Sequence, residues 1–284
     1  MTDSGGFQVF SLNALVKISE EGVLFRSHID GSKHMFTPKK VIDIQRNLRS
    51  DIMMPLDICI EYPASKSDAY QALLTTDRWE REAREYWAED TRRQALFAIV
   101  QGSTYPELRK IAVEKCMDIG FPGYALGGLS VGEPLDLMYE MTEVCTEILP
   151  EDKPRYLMGL GSPVELLQAV RRGIDMFDCV MPTRNASNGT IFTANGKMTL
   201  KAARYKQDFR PIDENCGCPV CQRYHRAYLR HLFNVGEPSV LRLATLHNLY
   251  FLSELMKGAR QAIEEGRFEA WLEHFCLRYV KDLD

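Results

Sequence analysis

"LFAIVQG" occupies residues 96–102. Five apolar residues run together, and an amide and a glycine close the run. A stretch this short and unbroken is the pattern of a strand covered on both faces. Its flanks decide the reading: residues 66–92 before it and 105–119 after it are long stretches that read as helices. The same unit recurs along the chain. "DIMMPLD" (51–57) precedes the first of these helices. "GYALGGL" (123–129) leads to a helix at about 133–148, "RYLMGLG" (155–161) to "PVELLQAVRRG" (163–173), and "IDMFDCVMP" (174–182) is the last apolar run. Apolar runs alternating with helices are the signature of βαβ units and a parallel sheet. Five such repeats are clear, and "MTD" (1–3) reads as the tail of a sixth strand. No glycine-rich dinucleotide fingerprint follows the first strand, which counts against a nucleotide-binding doubly wound sheet.

Before the repeats, residues 14–36 alternate loosely around the turn signals "EEG" (20–22) and "DGSK" (30–33) and predict hairpins. "TPKKVIDIQRNL" (37–48) predicts a helix with Thr37 as N-cap and Pro38 at its first position.

Polar residues stand where the strands finish: Asp3, Asp57, Gln101, Gly127–Gly128 and Asp178. Any one Asp there is as readily a loop or helix cap. Together they would form a polar pocket at the C-terminal strand ends, where a (β/α)8 barrel places its active site. With 284 residues, 45% hydrophobic and 26% charged, the chain has enough material for a sizeable core. The net charge of −4 argues against a wholly basic nucleic-acid binder. No leader pattern and no apolar run of about 18 residues stands out, so the expectation is a soluble, cytoplasmic protein.

Of eight cysteines, Cys59, Cys116, Cys145, Cys179 and Cys276 are scattered among apolar neighbours and read as core residues. The other three form "CGCPVCQRYH" (216–225), with Cys216, Cys218 and Cys221 in a C-x-C-x2-C pattern. Three soft thiolates this close suit zinc in a closed, structural site. His225, His231 and His247 are candidates for the fourth ligand, and spacing does not choose among them. Around this cluster Lys197, Lys201, Arg204, Lys206, Arg210, Arg223, Arg226 and Arg230 outnumber Asp208, Asp213 and Glu214. A basic segment beside an acidic strand-end pocket points to a phosphate-bearing substrate.

"TDSGGFQVFSL" (2–12), "VQGS" (100–103), "GYALGGLSVGE" (123–133), "MGLGSP" (158–163), "FDCVMPTR" (177–184) and "CGCPVC…LHNL" (216–249) together resemble the bacterial tRNA-guanine transglycosylases, from residue 2 to about residue 265. The resemblance implies an α/β fold, a (β/α)8 barrel of the TIM type with a zinc-binding subdomain inserted late. In the family "TDSGG" ends about the third barrel strand, so the expectation is an N-terminally truncated barrel lacking roughly 100 residues. The implied division is a partial barrel (about strands 3 to 8) over 1–188, a zinc subdomain over 189–248 and C-terminal helices over 249–284.

The family exchanges guanine at the tRNA wobble position, in GUN anticodons, for a 7-deazaguanine, in queuosine biosynthesis. By resemblance, Asp178 is the nucleophile at C1′ and Asp3 the general acid/base. Asp57, Gln101 and the Gly128 backbone would read the base, while Phe7 and Met158 would sandwich it. Arg184 would contact neighbouring bases, and His247 would complete the zinc site with Cys216, Cys218 and Cys221. Cys59 and Val131 match the bacterial pattern, implying preQ1 (7-aminomethyl-7-deazaguanine) as the incoming base. A homodimer is implied too. Two positions depart from the pattern: Ile58 stands where a Glu usually follows the reading Asp, and Ser187 where an Arg is common. The competing expectation is an inactive fragment or a non-catalytic tRNA-binding partner, against which the retention of both Asp3 and Asp178 speaks.

Overall fold

A computed structural model describes residues 1–7, 16–88 and 94–279. The chain divides into two compact units. One comprises Met1–Gly159 with Arg172–Phe177; the other comprises Leu160–Arg171 and the chain from Asp178 onward.

In the first unit, β1 (Val16–Ser19), β2 (Gly22–Arg26) and β3 (Lys33–Phe36) form an antiparallel sheet in that order. The turns fall on "EEG" and "DGSK", as the sequence predicts. Val23 of this sheet packs with Val41, Leu56 and Trp79, and Ile58 lies against the same cluster. Helix α1 (Pro38–Asn47) starts as expected: Thr37 Oγ1 accepts from the Lys40 N–H at 3.2 Å, and Pro38 occupies the first turn.

Parallel strands follow in sequence order. β4 (Ile52–Met53) pairs with β5 (Ala95–Leu96). β6 (Ala98–Val100), β7 (Tyr124–Leu126), β8 (Arg155–Leu157) and β9 (Met176–Phe177) pair successively. Only Phe97 separates β5 from β6, and its N–H donates to Met53 O at 3.1 Å. Residues of β6, β7 and β8 are buried throughout, which is why the runs carry no polar alternation. Between strands lie α2 (Lys66–Ala88), α3 (Pro106–Ile119) and α4 (Leu135–Thr146). Residues 89–92 of the long helix expected over 66–92 lie outside the described residues, as do residues 8–12 of "TDSGGFQVFSL".

The "MTD" segment does pair. The Thr2 N–H donates to Ile52 O at 3.0 Å, and Thr2 forms a parallel bridge with Met53. Thr2 Oγ1 reaches Gln45 and Ser50, and buried Gln45 in turn bonds both main-chain groups of Met54.

The second unit holds α5 (Pro163–Arg171), α6 (Met181–Asn188), the hairpin β10 (Thr190–Thr193) and β11 (Gly196–Thr199), then α7 (Pro219–Arg223), α8 (Arg226–Asn234), α9 (Ser239–Glu264) and α10 (Phe268–Tyr279). One core gathers Ile191, Met198, Leu200, Ile212, Val220 and Leu229 around the cysteines. Another joins α5, α9 and α10 through Leu167, Leu255, Leu272 and Phe275. No helix among the described residues is long and apolar enough to cross a membrane.

Candidate functional site

In the first unit the strand-end residues converge. Asp57 follows β4 and Gln101 follows β6. The Gln101 Nε2–H donates to Asp57 Oδ2 at 2.7 Å, with both residues buried. Burial, and next the charge of Asp3, push the Asp57 carboxyl up to about 7, against opposing bonds from Gln101 and Ser4. Asp3 Oδ1 accepts the Ser4 N–H at 2.8 Å, and Ser4 Oγ accepts the Gly6 N–H at 3.1 Å, so the "DSGG" loop folds on itself beside Asp57.

Glycines make the convergence possible. A Cβ on Gly127 would lie 2.7 Å from Gln101 Nε2, and one on Gly128 2.5 Å from Gln101 Oε1. The Gly127–Gly128 backbone therefore lies flat against the Gln101 amide. Burial raises the Cys59 thiol to about 12, so it is a neutral wall rather than a nucleophile. Phe7 is exposed, and Met158 is half-buried where its N–H bonds Leu126 O at 3.3 Å. Val131 lies on a loop clasped by Glu133, whose carboxylate takes the Ser130 and Val131 N–H groups.

Sequence reasoning missed the cation that fixes these loops. Arg109 on α3 is fully buried and donates to Ser103 O (2.7 Å), Val100 O (2.9 Å), Gly127 O (2.8 Å) and Gly128 O (3.2 Å). One guanidinium thus ties the main chain on both sides of Gln101 to that of Gly128. Its signal was an Arg at core spacing, beside Leu108 and before Ala112, Val113 and Cys116.

In the second unit Asp178 is exposed, immediately after the last strand of the repeat in sequence. Its neighbour Cys179 is held tightly: a Cβ on Gly161 would lie 2.4 Å from Cys179 Sγ, which accepts the Met181 N–H at 3.1 Å. Arg184 and Ser187 are exposed on α6.

Cys216, Cys218, Cys221 and His247 come together, their donor atoms all within 4.8 Å of one another. His247 Nδ1 faces Cys218 Sγ at 3.3 Å, Cys221 Sγ at 3.4 Å and Cys216 Sγ at 3.9 Å. Its other nitrogen, Nε2, bonds Phe192 O at 2.8 Å, which makes Nε2 the donor and leaves Nδ1 a lone pair for a metal. Sulfur contacts from Cys216 and Cys221 hold the Cys218 thiol well below its ordinary range. The donor set and tautomer fit a metal ion held by three thiolates and one imidazole. His225 is used elsewhere, capping α8 by accepting the Tyr228 N–H at 3.1 Å. His231 is exposed on α8.

The basic segment is partly consumed within the fold. Arg210 and Arg226 both bind Asp208, at 2.8 and 3.0 Å. Arg230 Nε donates to Ala202 O at 2.8 Å. Lys197, Lys201, Lys206 and Arg223 remain exposed.

The model of the queuine tRNA-ribosyltransferase family matches residues 1–281. A queuine tRNA-ribosyltransferase of Caldanaerobacter subterraneus subsp. tengcongensis is 55% identical over 279 residues, 98% of this chain and 74% of that protein. Proteins of the same name from Thermoanaerobacter pseudethanolicus and Desulforamulus reducens are each 55% identical, over 280 and 276 residues, covering 98% and 97% of this chain and 74% of their own lengths.

Proposed function

The chain belongs to the queuine tRNA-ribosyltransferase family and is a tRNA-guanine transglycosylase, a pentosyltransferase acting on tRNA and a purine-like base; from that premise we propose how its own residues perform the exchange. The observation that carries the enzymatic reading is the 55% identity across 98% of the chain.

Asp178 is the nucleophile. Its carboxylate attacks C1′ of the wobble nucleotide, the C1′–N9 bond breaks, and a ribosyl ester forms on Asp178. Asp3 gives a proton to the departing guanine and takes one from the incoming base, whose nitrogen then displaces Asp178 from C1′. Asp57 and Gln101 read the base: an ionised Asp57 accepts from N1–H and the 2-amino group, and the Gln101 amide and the Gly128 backbone serve O6 and N7. The 2.7 Å contact between Asp57 and Gln101 supports this role, because it sets the two groups side by side at adjoining strand ends. Phe7 and Met158 cover the faces of the flipped base, and Arg184 meets the neighbouring nucleotides. The small Cys59 and Val131 favour preQ1 as the entering base.

The four-residue cluster holds zinc, which supplies structural cross-linking and no step of the exchange. The architecture we propose is a partial (β/α)8 barrel over 1–188, with the zinc subdomain at 189–248 and C-terminal helices at 249–284. GUN anticodons as targets, a homodimer and a cytoplasmic location complete the proposal.

Incorporation of labelled guanine into tRNA by the 284-residue protein tests it, with Asp178→Asn and Asp3→Asn alongside. Incorporation lost in both variants is the expected result. Undiminished incorporation by Asp178→Asn would overturn the assignment of the nucleophile. No incorporation by soluble, zinc-loaded wild type would favour the non-catalytic partner instead.

A further inference from the structure

One face of α2 reaches the backbone behind both base-reading residues. Thr76 and Glu80 stand four apart on that helix, at its buried face, with exposures of 2% and 1%. Thr76 Oγ1 accepts the N–H of Ile58, the residue after Asp57, at 3.0 Å. Glu80 Oε1 accepts the N–H of Ile99, two residues before Gln101, at 2.5 Å. A helix on a parallel sheet ordinarily presents hydrocarbon. Here two adjacent polar groups grip two strands instead, at the segments that end in Asp57 and Gln101.

The second Glu80 oxygen is also satisfied, by the Cys116 thiol on α3 at 3.3 Å. Of the acids nearby, Asp57 and Asp77, the latter pairs with Arg81 at 3.1 Å and with Lys115 of α3 at 3.0 Å. A cavity of about 10 Å3 is lined by Thr76, Glu80, Gln101, Lys115 and Cys116 among others, room for about one water-sized sphere. Gln101 therefore shares this small, mostly apolar cavity with Thr76 and Glu80, and the Ile99 N–H of the strand carrying it is taken by Glu80.

We propose that Thr76 and Glu80 are positioning residues for base recognition: together they set the backbone at Ile58 and Ile99 so that Gln101 and Asp57 keep the contact that presents them to the purine. The proposal rests on Asp57 and Gln101 being the base-reading pair. It also bears on Ile58, whose side chain turns into the Val23–Trp79 cluster. With no carboxylate at position 58, the Thr76 hydroxyl is what holds that peptide.

The test uses the full chain. Guanine dissociation constants are measured by calorimetry, and guanine KM and kcat by exchange into tRNA, with melting temperature recorded for each variant. Thr76→Val and Glu80→Leu remove the acceptors; Thr76→Ser and Glu80→Gln restore them. The expected result is a guanine Kd and KM raised roughly tenfold in the first two, with kcat within about twofold, and recovery in the second two. A purely structural role would lower the melting temperature without moving KM. Should Glu80→Leu fail to fold, the Thr76 pair decides. Guanine bound as in wild type by Thr76→Val and Glu80→Leu, with Asp57→Ala unable to bind, would overturn the proposal and leave the reading pair standing. Wild type that binds no guanine, or Asp57→Ala that binds it undiminished, would remove the reading pair and the proposal together.

Discussion

A methyl group on Gly6 would lie 2.8 Å from Oδ1 of Asp57 and 3.0 Å from its main-chain oxygen. The second glycine of "DSGG" is therefore a matter of space: the loop backbone lies directly on the carboxyl. Gly6→Ala must push Asp57 or the loop aside, and the 2.7 Å bond from Gln101 with it. Guanine affinity is predicted to fall by roughly tenfold or more, about 1.4 kcal/mol, with little change in melting temperature. Calorimetric titration with guanine reads this directly; unchanged affinity would mean that the loop yields without moving Asp57.

As the proposed base reader, Asp57 should make base binding depend on pH. Burial and the nearby Asp3 place its carboxyl at about 7. A protonated Asp57 cannot accept from both N1–H and the 2-amino group, so in the proposed role guanine should bind the ionised form and release a proton. Affinity should climb through about pH 7 and level off above it. Asp3→Asn removes one cause of the shift and should move the midpoint down, whereas Asp57→Asn should abolish the dependence along with most of the affinity. Titrations at several pH values check this, and a flat profile for wild type would show Asp57 to be ionised throughout.

The strand–helix order was legible because the central strands β6, β7 and β8 are buried on both faces and the apolar runs are closed by Gly, Pro or Asp. The cap at Thr37 and Pro38 was legible because it is local chemistry. The polar residues of the interior were not. Arg109, Thr76 and Glu80 lie on helices, where a polar side chain ordinarily marks the solvent face; nothing local says that the backbone of a distant strand awaits it. The choice among His225, His231 and His247 was hidden for the same reason. His225 lies near the cysteines in sequence yet spends its Nδ1 on a helix cap, while His247 arrives from α9. Counting basic residues overstated the exposed charge, because Arg226 and Arg230 are tied to groups inside their own unit. The resemblance supplied the fourth member of the cluster, which spacing left open.

Removing the metal should loosen the second unit. Cys218 and His247 are buried, and Cys218 belongs to the same packed region as Ile212 and Val220. Without an ion, crowded thiols and an imidazole replace the bonds that would tie Cys216, Cys218 and α7 to α9. Cys218→Ser, or exhaustive chelation, is predicted to lower the melting temperature by roughly 10 °C. Metal content by elemental analysis should give one zinc per chain in wild type and little in the variant. A chelated protein that melts like wild type would show the cluster to be dispensable for the fold.

The two buried acids also set how stability varies with pH. Folded Asp57 titrates at about 7 and folded Glu80 at about 8, both raised first by burial from 3.8 and 4.5. In between, the folded chain holds protons that the unfolded chain has already released, so unfolding releases protons there and stability falls as pH rises. Their contribution is full below about pH 4 and gone above about pH 8. Glu80→Gln cannot ionise, yet keeps an acceptor for the Ile99 N–H. Relative to wild type it should flatten the decline between about pH 5 and 8, by an amount on the order of a few kcal/mol. Urea unfolding across that range supplies the curves. Parallel curves for wild type and Glu80→Gln would mean that Glu80 is ionised in the fold, and with a charged carboxylate at the Ile99 N–H the grip of α2 on the Gln101 strand would not depend on pH in this range.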